Sequence, residues 1–315
     1  MILFIFIDGV GFGENNSDVN PFAKYAKGFF LPLADKSIPK DSLFFNAIYH
    51  KTDAHLGVSG YPQSATGQTS IWTGINASKI MGRHITGYPT FTLKKIIQKY
   101  SIMKVLKENG FRSCFLNSYS PMYLEHIAKS KYITASTLIQ LASEIPLKTL
   151  DDLREYRGLC MDITHHVFQG YASKFLDKND DLLKIRDPFE VGKATVEMSK
   201  EYDIALFEYF ITDKVGHDMD WEAAKLVIYN IESFMQGILD YTDESQDQII
   251  ITSDHGNMED LSHGKHTHNK VPTFLYGKYS NEFKEKVYSI SDITPTIYSL
   301  FGIQIELNEE EFVSK

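Results

Sequence analysis

Ile249 to Thr252 is a short apolar and β-branched run that ends in Ser253-Asp254-His255-Gly256. Such a run forms a strand buried in a sheet, and the glycine permits a sharp turn at its end. A carboxylate and an imidazole leaving the carboxyl end of a buried parallel strand stand where open α/β sheets place their sites. Ten residues past the turn, His266 and His268 bring more imidazole to the same neighbourhood, ahead of Val271-Pro272. Mixed carboxylate and imidazole donors suit a hard-to-borderline divalent cation. The alternative is a solvated turn carrying stray histidines.

Two other runs end the same way. Ile2 to Ile7 is continuously apolar and meets Asp8, followed by Gly9, Gly11 and Gly13. No acidic partner follows a second strand at the distance a dinucleotide fingerprint requires, so these glycines predict a loop that bends close to something. Asp8 on this basis is a ligand or a helix cap. Ile204 to Phe210 leads to Thr212-Asp213-Lys214-Val215-Gly216-His217, where Asp213 and His217, four apart, share a face if the loop turns helically. In a parallel sheet with helical crossovers all three ends lie on one edge. Three carboxylates gathered there repel unless cations sit between them.

Between these anchors the pattern predicts a strand near Leu43 to Ile48, a helix over Leu93 to Leu106 and a strand over Phe111 to Leu116. Helices are expected over Glu190 to Lys200, Trp221 to Leu239 and Ile293 to Phe301, and a strand over Val271 to Tyr276. Residues 121–185 offer helical stretches at Ala135 to Ser143, Leu150 to Tyr156 and Ile163 to Leu176, and read as a small helical insertion or lid. His165 and His166 in it read as helix residues first. The acidic tail Glu306 to Glu311 reads as solvated. The expected fold is α/β: a three-layer sandwich with a mostly parallel central sheet and helices on both faces. The core takes residues 1–120 and 186–315.

Gln63-Ser64-Ala65-Thr66-Gly67-Gln68-Thr69 places small hydroxyls at the start of a short helix. Unpaired N–H groups there favour a nucleophile that carries a phosphoryl group, and equally accommodate an ordinary Ser or Thr cap. In the turn-rich loop that follows, Arg83 is a strong phosphate-type donor and His84 stands beside it. A net charge of -9 with no basic stretch argues against a nucleic-acid partner. Ile2 to Ile7 is too short for a signal core or a membrane span, so a cytoplasmic protein without a membrane partner is expected. Cys114 and Cys160 lie far apart and form no metal or redox motif, which suits a reduced compartment.

Taken together, these residues resemble the alkaline phosphatase superfamily, in the branch of cofactor-independent phosphoglycerate mutase and phosphopentomutase. Asp213-Lys-Val-Gly-His217 is similar to its Asp-x-x-Gly-His motif, and Asp254-His-Gly-Asn257 to its Asp-His-Gly-Asn motif. His266-Thr267 with Val271-Pro272 is similar to its His-Thr followed by Val-Pro, and Ile7-Asp8-Gly9 to its first strand end. The resemblance implies two divalent ions, zinc or manganese: one held by Asp213, His217 and His266, the other by Asp8, Asp254 and His255. His266 is preferred to His268 for its spacing to Val-Pro. It implies Ser64 as nucleophile, three residues before Gly67, with Thr66 the alternative; Gln68 stands where the family usually has histidine.

The implied chemistry is a two-metal phosphoryl displacement through a phosphoserine, on a small phosphorylated substrate. Arg83 and His84 are the expected substrate contacts. A phosphatase or phosphodiesterase is the leading expectation and a phosphomutase the second. A metal-stabilised binding protein without catalysis is the alternative of another class. A sulfatase is disfavoured, because no Cys or Ser lies in the Cys/Ser-x-Pro-x-Arg pattern.

Overall fold

The computed structural model describes residues 1–312. Its strands are β1 (Ile2–Ile7), β2 (Ile48–Thr52), β3 (Ser113–Phe115), β4 (Ser118–Tyr119), β5 (Lys148–Thr149), β6 (Ile204–Tyr209), β7 (Gln248–Thr252) and β8 (Val271–Gly277). Six of them form one sheet in the order β2-β8-β7-β1-β6-β3. All run in one direction except β8, which lies antiparallel between β7 and β2. β1 is central, with Ile5 opposite Phe207 on one side and Ile251 on the other.

Every residue of β1 is buried because the sheet is covered on both faces. Leu3, Ile5 and Ile7 join Ile249, Ile251 and Phe207 against the helices Pro188–Ser199 and Trp221–Tyr241. Ile2, Phe4 and Phe6 face the other way, against the helices Ser64–Thr73 and Ile293–Leu300. There the rings of Phe4 and Phe6 lie 5.1 and 5.6 Å from Trp72. Burying each such ring contributes about 1.5–3 kcal/mol, enough to fix which face each residue takes. The three-layer α/β expectation is met.

The differences are local. The strand expected near Leu43 to Ile48 starts only at Ile48. Leu43–Asn46 is a 3-10 turn, capped by the Ser42 hydroxyl accepting from Phe44 N at 3.3 Å. The helix expected over Leu93 to Leu106 is two, Phe91–Tyr100 and Ile102–Glu108. Between them, the Ser101 hydroxyl accepts from Lys104 N and donates to Ile139 O at 2.8 Å, competing with the helical ladder. The helix expected over Ile163 to Leu176 spans His166–Ala172, because Ile163 and His165 have φ of 64° and 66°. The tail is not simply solvated: Leu307 and Phe312 lie against Leu93, Ile96 and Tyr100, and Glu309 accepts from Asn76 N at 2.9 Å.

Within 121–185, helix Ala135–Ser143 lies in the layer over the sheet, with Ala135 and Ile139 in the same cluster as Ile97 and Phe115. Leu150, Leu153, Cys160, Phe168 and Leu182 form a small cluster of their own. Cys114 and Cys160 are both buried and free. Among the described residues, no helix is long and apolar enough to cross a membrane.

Candidate metal centre

Asp8 follows the last residue of β1, and Asp254 stands two past the end of β7. Asp213 and His217 lie on the helix Ile211–Asp218 directly after β6, so the segment does turn helically. Ser64 is the first residue of its helix, and His266 sits in the loop that returns to β8. The six expected ligands and Ser64 therefore meet at one sheet edge.

His217 Nε2 is 3.4 Å from Asp213 Oδ2, His266 Nε2 is 3.7 Å from Asp213 Oδ1, and the two Nε2 atoms are 3.2 Å apart. Each ring is oriented by a backbone carbonyl on its other nitrogen. His217 Nδ1 donates to Gly264 O at 2.9 Å and His266 Nδ1 to Pro62 O at 2.8 Å. With Nδ1 carrying the proton, two Nε2 lone pairs and a carboxylate oxygen point into one space, as in a nitrogen-and-oxygen divalent site. Asp213, His217 and His266 have ligand atoms within 4.8 Å of one another.

On the other side of Asp213, His255 Nε2 lies 3.4 Å from Asp8 Oδ1, 3.5 Å from Asp254 Oδ2 and 3.1 Å from Ser64 Oγ. Asp8, Asp213 and His255 also come within 4.8 Å, so Asp213 stands between the two groups. The rings of His255 and His266 stack at 3.6 Å. Asp8 Oδ1, Asp254 Oδ1 and His255 Nδ1 are buried without hydrogen-bond partners among the described residues. Buried carboxylate oxygens left without a donor, beside an imidazole nitrogen, fit a cation.

The electrostatics agree. Burial, then the charges of Asp254 and Asp213, push the Asp8 carboxyl well above the usual range. Asp254 is raised too, with burial the first cause. Burial lowers His255 to about 4, so its imidazole is neutral, the form that binds metal.

Residues beyond the expected set hold this arrangement. Asn257 Nδ2 donates to Asp213 Oδ1 at 2.7 Å. Glu259 accepts from Gly11 N at 2.9 Å, Asn257 N at 2.8 Å, Asn269 Nδ2 at 3.1 Å and the Thr267 hydroxyl, tying three loops together. Gln68 Nε2 reaches Asp8 Oδ2 at 3.3 Å and Asp254 Oδ2 at 3.4 Å. Asn257 stood inside a motif and was within reach of sequence reasoning; Glu259 carried no local signal.

Other expected residues lie elsewhere. The Thr66 hydroxyl donates to Gln63 O and accepts from Ile85 N, both at 3.2 Å, and faces a loop. Arg83 is exposed, and His84 is held by Ser78 Oγ and Val58 O; neither lines the cavity beside the centre. His268 stacks on Tyr61 and His55. His165 Nδ1 bonds Leu182 O at 2.8 Å and His166 is exposed.

Gly67 is required by close approach. A Cβ there would lie 2.8 Å from Asp254 Cβ and 3.1 Å from Asp254 O. Gly67→Ala is expected to lower stability by about 1–3 kcal/mol, as overpacking does, and to weaken metal retention together with it. Denaturant melts and metal content of the purified variant check this.

Ser64, Asp8, Asp213 and His217 open onto a cavity of about 740 Å³. Residues 182–305 match the family model described as Metalloenzyme superfamily. The 2,3-bisphosphoglycerate-independent phosphoglycerate mutase of Methylobacillus flagellatus is 30% identical over 114 residues, 34% of this chain and 22% of that protein. Its counterpart from Clostridium tetani is 33% identical over 135 residues, 40% and 26% of the two. The chain thus spans about a quarter of the length of the curated relatives it matches.

In structure, the chain is similar to the PH0037 protein from Pyrococcus horikoshii, with TM-score 0.54, 15% identity and 98% of both chains covered. It is also similar to a cold-active alkaline phosphatase from a Shewanella species, with TM-score 0.53, 12% identity and 94% and 99% covered. At these identities the likeness shows a shared fold. The superfamily resemblance read from the motifs is borne out.

Proposed function

We propose that this chain, a metalloenzyme of the alkaline phosphatase superfamily by motif and fold, is a metal-dependent phosphohydrolase acting on phosphate monoesters or diesters through a phosphoserine. The observation that carries the reading is Ser64 Oγ, 3.1 Å from His255 Nε2 and lining the cavity beside the ligand carboxylates Asp8 and Asp213. A binding protein has no use for a hydroxyl in that place.

Asp213, His217 and His266 would hold one ion and Asp8, Asp254 and His255 the other, and zinc and manganese both accept such donors. When bound, the ions supply the positive charge that activates the serine hydroxyl and offsets the charge of the phosphate. Ser64 Oγ bonds to phosphorus as the phosphorus–alcohol oxygen bond breaks, and the alcohol leaves with a proton. Water then adds to phosphorus, the bond to Oγ breaks, and inorganic phosphate (a monoester, from a diester) departs with the serine restored. Asn257 keeps Asp213 in place throughout.

Support for water as the acceptor comes from the open rim of the cavity. Helix Pro121–Lys129 buries none of its residues, and Tyr88 and Phe210 at the cavity are 48% and 39% exposed. A mutase must instead keep its phosphoenzyme dry. The mutase reading has its own support, since the matched relatives are phosphoglycerate mutases. The test supplies phosphoglycerates, phosphopentoses and simple phosphate esters to metal-loaded protein and follows isomer and free phosphate together. Phosphate release is expected to dominate; isomerisation that outruns it by a wide margin favours the mutase.

A further inference from the structure

The wall of the cavity beyond the ligands has a chemistry of its own. Among the described residues lining it, the only Lys or Arg is Lys214, whose Nζ is 2.6 Å from Asp218 Oδ2. If the centre holds two divalent ions, three ligand carboxylates and a phosphate dianion already offset them. Nothing cationic is then left for a second anionic group on the substrate.

Glu208 occupies that wall. It lies on β6, and its backbone N–H and C=O are clamped by the Asn117 side chain at 2.9 and 2.8 Å. Its Oε2 accepts from Ser136 Oγ at 2.7 Å, while its Oε1 has no hydrogen-bond partner among the described residues. The residue is 9% exposed and lines the cavity; burial pushes its carboxyl up to about 7, so at pH 8 a fixed carboxylate oxygen is offered to the bound molecule. Beside it, the rings of Tyr119 and Tyr123 stack at 5.0 Å and 18°. Gln140 Nε2 donates to the Tyr119 hydroxyl at 2.6 Å and Thr137 Oγ1 lies 2.9 Å from the Tyr123 hydroxyl. Anchored at both hydroxyls, the stacked pair adds aromatic surface to the cavity next to a hydrogen-bond acceptor.

We propose that Glu208 and the stacked Tyr119–Tyr123 pair select phosphate esters of uncharged, hydroxyl-bearing ring alcohols, of the sugar or nucleoside type, over esters of carboxylated alcohols. This rests on the phosphohydrolase reading. A ring hydroxyl donates to Glu208 while the ring face lies on the tyrosines. A carboxylate brought to the same wall meets Glu208 with no free cation to offset it.

The experiment uses a matched pair, glycerol 3-phosphate and 3-phosphoglycerate, which differ by a hydroxymethyl against a carboxylate. Ribose 5-phosphate and a nucleoside 5′-monophosphate test the ring, and 4-nitrophenyl phosphate reports on phosphoryl transfer alone. With metal-loaded protein at pH 8, where Glu208 is ionised, kcat/KM for glycerol 3-phosphate is expected to exceed that for 3-phosphoglycerate by about 10-fold or more, with at least one ring ester higher still. Glu208→Gln should shrink the glycerol-to-glycerate ratio by about 10-fold, mainly through KM. Should Glu208→Gln not fold, Tyr123→Leu, on a helix that buries none of its residues, carries the test. It should lose about 10-fold on ring esters relative to glycerol 3-phosphate.

Calorimetric titration of metal-loaded Ser64→Ala with the same esters reads the wall without turnover. Hydrolysis of 4-nitrophenyl phosphate combined with equal or better use of 3-phosphoglycerate overturns this proposal and leaves the phosphohydrolase standing. Absence of any turnover sinks the phosphohydrolase instead. The titration then decides, and tighter binding of 3-phosphoglycerate than of glycerol 3-phosphate overturns the wall's assigned role.

Discussion

Replacing Ser64 by alanine is expected to lower kcat by roughly 10³-fold or more, the scale on which removal of a nucleophile acts. The fold should survive. Ser64 is only partly buried and its side chain has one partner, His255 Nε2 at 3.1 Å, so its loss costs about 1 kcal/mol at most. Thr66→Ala should show the reverse pattern. That hydroxyl is fully buried with two backbone partners, so its loss costs about 1–3 kcal/mol of stability and little activity. Steady-state kinetics and melting of the two variants side by side check the assignment. An active Ser64→Ala beside an inactive, well-folded Thr66→Ala would move the nucleophile to Thr66.

Chelation is expected to lower the melting temperature at pH 8 by roughly 5–10 °C, given tight ions that stabilise by about 4 kcal/mol at a thousandfold excess over Kd. The sign with pH follows from the two kinds of ligand. Asp8 and Asp254 are raised in the folded metal-free protein, so their contribution favours folding at acidic pH and is lost as pH rises through the folded values. His255 is lowered to about 4, so its contribution is present above the ordinary 6.5 and is lost as pH falls toward 4. Between about pH 4 and 6.5 the two oppose each other; above that window only the carboxylate repulsion remains.

The effect of chelator should therefore be small near pH 5 and largest at pH 7–8. Asp254→Asn removes one of the crowded charges. It should melt higher than the chelated parent at pH 8 and gain little from added zinc or manganese. Calorimetric scans with and without chelator across this range measure both. Identical melting in chelator at pH 8 would remove the metal centre from consideration.

The central strands were legible because burial on both faces leaves apolar runs: β1 is unbroken, β7 carries Ile249 to Ile251, and β6 is apolar but for Glu208. The ligand groups were legible because an Asp closes each of those runs and the histidines fall at motif spacing. Ser101 was not, since the apolar period of Leu93 to Leu106 continues through it and only the contact with Ile139 O shows the break. Arg83 and His84 show the converse: suitable side chains in a suitable loop, of which His84 is held away by Ser78 and Val58 while Arg83 faces solvent. The ring anchors on Pro62 O and Gly264 O are backbone groups, silent in any sequence. Glu208 was hidden inside a strand, where a lone acid among apolar residues gives no hint of the cavity it borders.

β1 sits at the middle of the sheet, yet it pairs with residues far along the chain, Ile2 with Ile204 on one side and with Gln248 on the other. On a ribosome, the strand that emerges first must wait for both of its neighbours. At about 5–20 residues per second, the first of them arrives roughly 10–40 s later. Throughout that interval an unbroken apolar hexapeptide has neither edge partnered, a standing invitation to aggregation in the nascent chain. Production in cells should accordingly respond to chaperone supply, while core substitutions in β6 and β7 lower yield through the same delay.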